Sequence, residues 1–417
     1  MDCLSTPSYT VKRKALVDLT NVCSDEDIYF KSDKKYSVQE LLPILEDNVD
    51  TNSSKPASIL EDLSSDRFQN VHPLMGWYKH DLNTGFLSYD DFNNLMQPEN
   101  DVQLINLLSE IGVIADNNKC LLCGGDMNKV KDEGHWFWIC RRRVNGVKCQ
   151  RKKKSIRTGT IFEHSKLSTQ DILKIVWHFV HHLSEKQCVD YTKLSSKNNT
   201  TVVKWYRFCR EICTEWFWKP HNTPKLGGFG HIVEMDESYF PGKPKFNRGR
   251  RLGEHSWEDA DKWGFGMTQR GSLDAIIEQV PSNRSRATLL PIVDQHCLDG
   301  TIFCSDGWKA YNKLRDNLQI EDCLHFSVNH SENFVDPDTG AHTQTIEGLW
   351  RHCKAFLPSF GLKPRDLHTY LGTFLWHRYR YCKQRKLDMF VKFLKCAAEI
   401  RPPVKNELPN GTIALSL

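Results

Sequence analysis

The sequence predicts an α/β protein whose C-terminal half holds a mixed sheet with flanking helices. Three observations lead there. Short β-like runs, HIVEM, KWGFGM, DAIIEQV and TIFCS, begin just beyond residue 230. Helical patterns alternate with them at TLLPIVDQHC, GWKAYNKL and TIEGLWRHCKAFL, and DLHTYLGTFLWHRYRYC continues the helical series. Strands interleaved with helices cover both faces of a sheet, as α/β architecture requires. The glycine-rich break KLGGFGH after Pro220 separates this half from an upstream half that is helical and rich in cysteine.

At 417 residues and 48.4 kDa the chain exceeds one ordinary core and suits two or three folded units. Hydrophobic residues make up 39%, mean hydropathy is −0.53, and no run approaches the roughly 20 apolar residues that cross a bilayer. A membrane-spanning class is excluded. The N-terminus MDCLSTPSYTVKRKALVD lacks the apolar stretch of a secretory signal, so a reducing compartment is expected. Fifteen cysteines, an odd number, then point to metal binding or burial rather than disulfides.

The formal net charge of +4 hides an asymmetry. Residues 1–70 carry 13 acids against 8 Lys and Arg, which leaves +9 for the remainder. An acidic leader therefore precedes a basic body, and a basic body suits an anionic partner such as nucleic acid. The leader, 1–70, reads as disordered for want of any sustained apolar period. Within it, Lys12, Arg13 and Lys14 form a short basic run of the kind nuclear import uses, or a solvated tail; the nucleus is the expected location.

The elements follow in order. Residues 71–118 read as a short helical segment, with apolar residues at helical spacing in SYDDFNNLMQPENDVQLINLLSEIGVI. Residues 119–160 read as a zinc ribbon with a basic run. Cys120 and Cys123 form a C-x-x-C pair, and Cys140 and Cys149 follow 17 and 26 residues beyond Cys123. Four thiolates so spaced close a tetrahedral Zn²⁺ shell if a hairpin through GHWFWIC brings the pairs together. The alternative, four buried free cysteines, needs an apolar core that this glycine-rich stretch lacks.

The run RRRVNGVKCQRKKKSIR holds nine Lys and Arg and no acid. Such density repels itself unless an anion is near, and the phosphate backbone is the usual one. Arg141, Arg142, Arg143, Arg151, Lys152, Lys153, Lys154 and Arg157 are accordingly candidate DNA contacts; the alternative is a solvated loop. Residues 161–220 repeat the helical signal three times, with Ser168 and Ser184 at N-cap positions. This is a helix-turn-helix-like pattern whose third helix would present Lys204 and Arg207 to a major groove. Trp177, Trp205 and Phe208 read as its core. Residues 386–417 read as a C-terminal tail.

Two acids end apolar strands: Asp236 in HIVEMDESYF and Asp306 in TIFCSDGWKAY. Either alone would be an ordinary cap. A third, Glu347, borders the stripe Ile346, Leu349, Trp350, Cys353 of a helix. Three such acids can gather two Mg²⁺ or Mn²⁺ ions about 3.5–4 Å apart, a clamp for in-line phosphoryl displacement. Glu237 alternates to the other sheet face and is left outside this set. His325, His330 and His342 are further candidates for contact with DNA or a leaving oxygen, or ordinary structural histidines.

Taken in order, SIRTGTIFEHSKL, VEMDESYF, NRGRR, LLPIV, GTIFCSDGWKAY, VNHSENFVDPDTGAHTQTIEGLW and CKAFLP resemble the Merlin superfamily of DNA transposases and their bacterial insertion-sequence relatives with an ISXO2-like transposase domain. The resemblance spans about residues 88–385. It implies a ribonuclease-H-like catalytic domain over 228–385 carrying a DDE triad, which on matching positions is Asp236, Asp306 and Glu347. It also implies cut-and-paste transposition. The partners are then double-stranded DNA, as terminal inverted repeats and as target, and the assembly is a homodimer or larger. A domesticated DNA-binding protein that no longer cuts, and a plain metal-dependent nuclease, share parts of this pattern.

Overall fold

The computed structural model describes residues 89–144, 146–149, 153–194, 200–240, 262–328, 335–336, 341–358, 362–383 and 389–406, with two short strands at Ile28–Tyr29 and Lys35–Tyr36. The expected disorder of the leader, its basic run, and the candidates Arg151, Lys152 and His330 lie outside these residues. No described helix is long and apolar enough to cross a membrane. The chain divides into two compact units, one of Asp81–Trp218 with Lys383–Leu417 and one that includes Lys219–Cys382.

The first unit begins with α1 (Tyr89–Leu95) and α2 (Asp101–Ile111), then a hairpin of β1 (Met127–Asp132) and β2 (His135–Cys140), with β3 (Lys154–Ser155) on its edge. Three helices follow: α3 (Thr169–Val180), α4 (Glu185–Thr192) and α5 (Thr200–Phe217). The two serines cap as their chemistry dictates. Ser168 accepts from the Asp171 amide, and Ser184 exchanges bonds with Gln187 in a full capping box.

The second unit is built on a five-stranded mixed sheet. Its strands are β4 (Ile232–Tyr239), β5 (Trp263–Gln269), β6 (Ala275–Val280), β7 (Ile302–Asp306) and β8 (Leu324–Val328), in the order β6-β5-β4-β7-β8. The β6-β5-β4 pairs are antiparallel and the β4-β7-β8 pairs parallel. Helix α6 (Arg286–His296) connects β6 toward β7, and α7 (Gln344–Phe356) packs on β4 and β5. The central strands read as nearly continuous apolar runs because both of their faces are covered.

Register sets the key positions. Strand β7 aligns Ile302 with Ile232, Phe303 with Val233 and Cys304 with Glu234. Continuing that alignment two residues sets Asp306 level with Asp236. On the other side Gly266 pairs with Asp236, and a Cβ there would stand 2.5 Å from the Trp350 ring. The strand therefore needs glycine at this point so that the α7 indole can lie flat on the sheet. The predicted stripe holds, since Ile346, Leu349, Trp350 and Cys353 are all buried.

After α8 (Pro364–Lys383) the chain returns to the first unit as α9 (Met389–Ile400), where the sequence reading placed only a tail. Phe390, Phe393, Leu394 and Ala397 of α9 are buried. Phe390 completes an aromatic cluster in which Phe92 stacks on Trp177 at 4.2 Å. The Trp216 indole donates to Glu399 at 2.7 Å, and Arg401 pairs with Glu215 at 3.1 Å. Beyond it Lys405 pairs with Asp116, and the Asn406 amide donates to Asn118 Oδ1.

Candidate active site and metal centre

At the cysteine cluster, Met127 pairs with Cys140 across the hairpin, so the C-x-x-C turn and the end of β2 come together. The Sγ atoms of Cys120, Cys123, Cys140 and Cys149 all lie within 4.8 Å of one another. Cys120 and Cys149 are 3.7 Å apart, and Cys123 and Cys140 are 3.5 Å apart. A tetrahedron with Zn–S bonds of about 2.3 Å has edges of roughly 3.8 Å, so four thiolates at these positions fit Zn²⁺. Burial opposes ionisation of Cys120, but the amides of Cys123 and Leu122 aimed at its sulfur outweigh it and bring its pKa down to about 7. Cys140 is pushed the other way, to about 12, chiefly by burial. A cation between them would reverse that penalty.

Around this centre the basic residues divide. Arg141, Arg142 and Arg143 are exposed, with Arg142 donating to the Cys123 carbonyl at 3.1 Å. Lys153 is exposed, pairs with Asp132 at 2.7 Å and lies over the Phe137 ring. Lys154 instead bonds the Val404 carbonyl and Asn406 Oδ1. Arg157 turns inward, where Nη1 donates to the Leu167 carbonyl at 3.0 Å and burial lowers its pKa. It thus braces the turn before α3 and is not presented on the outer face as the sequence reading expected. On α5, Lys204 and Arg207 are exposed, the latter paired with Glu211.

In the second unit the three predicted acids come from the middle of β4, which runs on past Asp236 to Tyr239 where the sequence reading ended the strand, from the end of β7 at Asp306, and from Glu347 on α7. The Asp236 carboxyl is raised to about 6, first by burial and then by the charge of Asp306, with Glu347 adding to it. The Trp350 indole donates to Asp236 Oδ2 at 2.9 Å and partly offsets the rise. Asp306 is held by the Trp308 amide at 3.1 Å. Asp306 and Glu347 are therefore both within electrostatic reach of Asp236.

Glu237 lies closer to this group than strand alternation suggested. Burial raises it to about 7, and a hydrogen bond from the buried Tyr311 hydroxyl opposes that rise, while Asp236 and Asp306 add to it. His325 sits against Ser305 Oγ at 2.9 Å and is lowered to about 4 by burial, so it stays neutral. His342 is lowered by burial and by the Arg270 charge.

The sequence reading missed Glu234. It is fully buried in the middle of β4, and its carboxylate accepts from Arg270 Nε at 2.6 Å, Thr345 Oγ1 at 2.8 Å and the Ile346 amide at 2.9 Å. Thr343, at the N-cap of α7, makes no side-chain cap bond. Glu234 supplies that cap from the neighbouring strand, holding the first turn of the helix at the amide one residue before Glu347. An acid inside the apolar run HIVEM was the available signal, because a charge on a buried strand requires partners.

Residues 225–378 match the family described as the ISXO2-like transposase domain. The match covers just over a third of the chain. Its span encloses the sheet, α7 and all the acids described above, in agreement with the resemblance read from the sequence motifs. Two solved Mos1 structures are similar at low level. The pre-cleavage Mos1 transpososome is 10% identical, with 54% of this chain and 81% of that chain covered and a TM-score of 0.15. The Mos1 strand transfer complex is 12% identical, with 54% and 80% covered and the same TM-score. Superpositions that loose carry no argument about the transposase domain. No curated protein matches the chain.

Proposed function

We propose that the protein is a DDE-type cut-and-paste DNA transposase with Asp236, Asp306 and Glu347 as its catalytic acids. The alignment of Asp236 and Asp306 on adjacent strands, with the Trp350 indole tying α7 to Asp236, carries the reading. A buried carboxyl raised by two acidic neighbours is an arrangement that calls for bound cations. Asp236, Asp306 and Glu347 would hold Mg²⁺ or Mn²⁺, whose hard-cation chemistry suits oxygen ligands. Such ions supply Lewis-acid stabilisation to a phosphate under attack by water or by a 3′-hydroxyl. Trp350 orients Asp236, the Trp308 amide orients Asp306, and Glu234 sets the helix that bears Glu347. The sheet with its helices serves as the ribonuclease-H-like catalytic domain over 228–385.

The ribbon, 119–160, with structural Zn²⁺ on its four cysteines, and the helical unit, 161–220, would bind double-stranded DNA at the element's terminal inverted repeats. Arg141, Arg142, Arg143, Lys153, Lys204 and Arg207 are exposed on these elements. Synapsis of two ends requires a homodimer or larger assembly, acting in the nucleus on target DNA.

The test is metal-dependent cleavage and joining of a labelled element-end duplex by wild type and by Glu347→Gln. The variant should lose at least about 10²-fold in cleavage, the scale of one lost electrostatic stabiliser, while binding in Ca²⁺ stays near wild type. Cleavage unaffected by Glu347→Gln would overturn the assignment. Binding without cleavage by wild type would identify a domesticated DNA-binding protein instead.

A further inference from the structure

Beside the acids lies an aromatic wall that the proposed chemistry does not use. The Arg284 guanidinium stands 3.5 Å from the Trp263 ring centre and 5.1 Å from that of Trp308. Tyr239 lies 5.3 Å from Trp263. Trp308 is 41% exposed, and its backbone amide is the group that holds Asp306, so the indole rides on the turn that bears a carboxylate. Arg284 adopts a left-handed backbone, φ 30°, which an arginine occupies only at a cost. Its charge also reaches Glu237.

Resting on the transposase reading, we propose that Trp308, with Arg284 and Trp263 behind it, stacks an unpaired nucleobase of a single-stranded DNA end next to the carboxylates. An exposed indole offers a π-face that every base can use, and a guanidinium against the rings adds a cation where a sugar-phosphate chain passes. The surroundings favour this occupant over a protein partner. Trp308 is flanked in the chain by the exposed Gly307 and Lys309, and the Arg284 guanidinium lies against its ring, so cations stand beside the indole where a sugar-phosphate chain would pass. Stacking of a displaced base would also hold the adjoining phosphate near Asp306, because platform and carboxylate share one turn.

The experiment compares a blunt duplex with the same duplex bearing a short 3′ overhang that contains 2-aminopurine, both bound by the full chain in Ca²⁺. Wild type should bind the tailed duplex about tenfold more tightly than the blunt one and quench the 2-aminopurine. Trp308→Ala should bring that ratio near one and abolish the quenching, and Trp308→Phe should keep most of both. An equal affinity of wild type for the two duplexes, or a ratio that survives Trp308→Ala, overturns the platform. The outcome is separable from the cutting reaction. Cleavage without overhang preference leaves the transposase reading intact and removes the platform, whereas preference without cleavage supports the platform and removes the cutting.

Discussion

Replacing Glu234 by Gln tests whether the β4 acid is what places α7. The carboxylate uses Oε1 for Arg270 and Thr345 and Oε2 for the Ile346 amide. A carboxamide has only one acceptor oxygen. If that oxygen faces Arg270 and Thr345, an NH₂ meets the Ile346 N–H; if the amide is flipped, Arg270 faces a donor. Either way a buried donor loses its acceptor, and the Arg270 side chain, 18% exposed, loses its counter-charge. Breaking a buried pair on one side costs about 3–5 kcal/mol, and the partial exposure of Arg270 puts the expected loss near the lower end, about 3 kcal/mol. Urea denaturation gives the total, and hydrogen exchange of the first-turn amides of α7 locates it. Those amides should lose protection before the sheet does, and metal affinity should fall because Glu347 sits in that turn. A loss below about 1 kcal/mol with first-turn protection retained would refute the clamp.

Three further outcomes are expected. The full chain should contain about one zinc, and Cys120→Ser with Cys123→Ser should remove it, as read by metal analysis; unchanged zinc would exclude these ligands. Gly266→Ala should destabilise by about 1–3 kcal/mol in urea, because its Cβ meets the Trp350 ring at 2.5 Å and the indole cannot leave without releasing Asp236; a neutral change would mean that the ring is free to move. Asp236→Asn should match wild type in stability near pH 4 and exceed it by up to about 3 kcal/mol near pH 7 without added Mg²⁺. The sign follows from the raised carboxyl: the folded state holds its proton up to about pH 6, so wild type loses stability as pH climbs through that value, and Asn does not titrate. Parallel melting curves at both pH values would show that Asp236 is not raised.

The elements that depend on local pattern were legible in the sequence. The caps Ser168 and Ser184, the stripe on α7 and the strand end at Asp306 need only neighbours a few residues away, whereas β4 runs on past Asp236 to Tyr239. The stripe of α9 was equally present, as Phe390, Phe393, Leu394 and Ala397, yet it sits after the longest helical run and passed for a tail. What pattern does not supply is the partner at a distance. Glu234 meets Thr345 and Ile346 more than 100 residues later, and Tyr311 meets Glu237 from another strand's connection. Arg157 shows the reverse case, a residue whose neighbours in sequence suggest an outward face while its own bond to Leu167 turns it in.

Because α9 completes the unit that begins near residue 81, the segment Lys219–Cys382 is in effect spliced into that unit as one long insertion. During synthesis the ribbon and α3 to α5 leave the ribosome first, but Phe92, Trp177 and Trp216 must wait for Phe390 and Glu399, which arrive only after the whole domain has been made. A message cut short anywhere before α9 therefore yields no finished version of this unit. Truncated copies would leave open the apolar faces of α2, α3 and α5 that α9 covers.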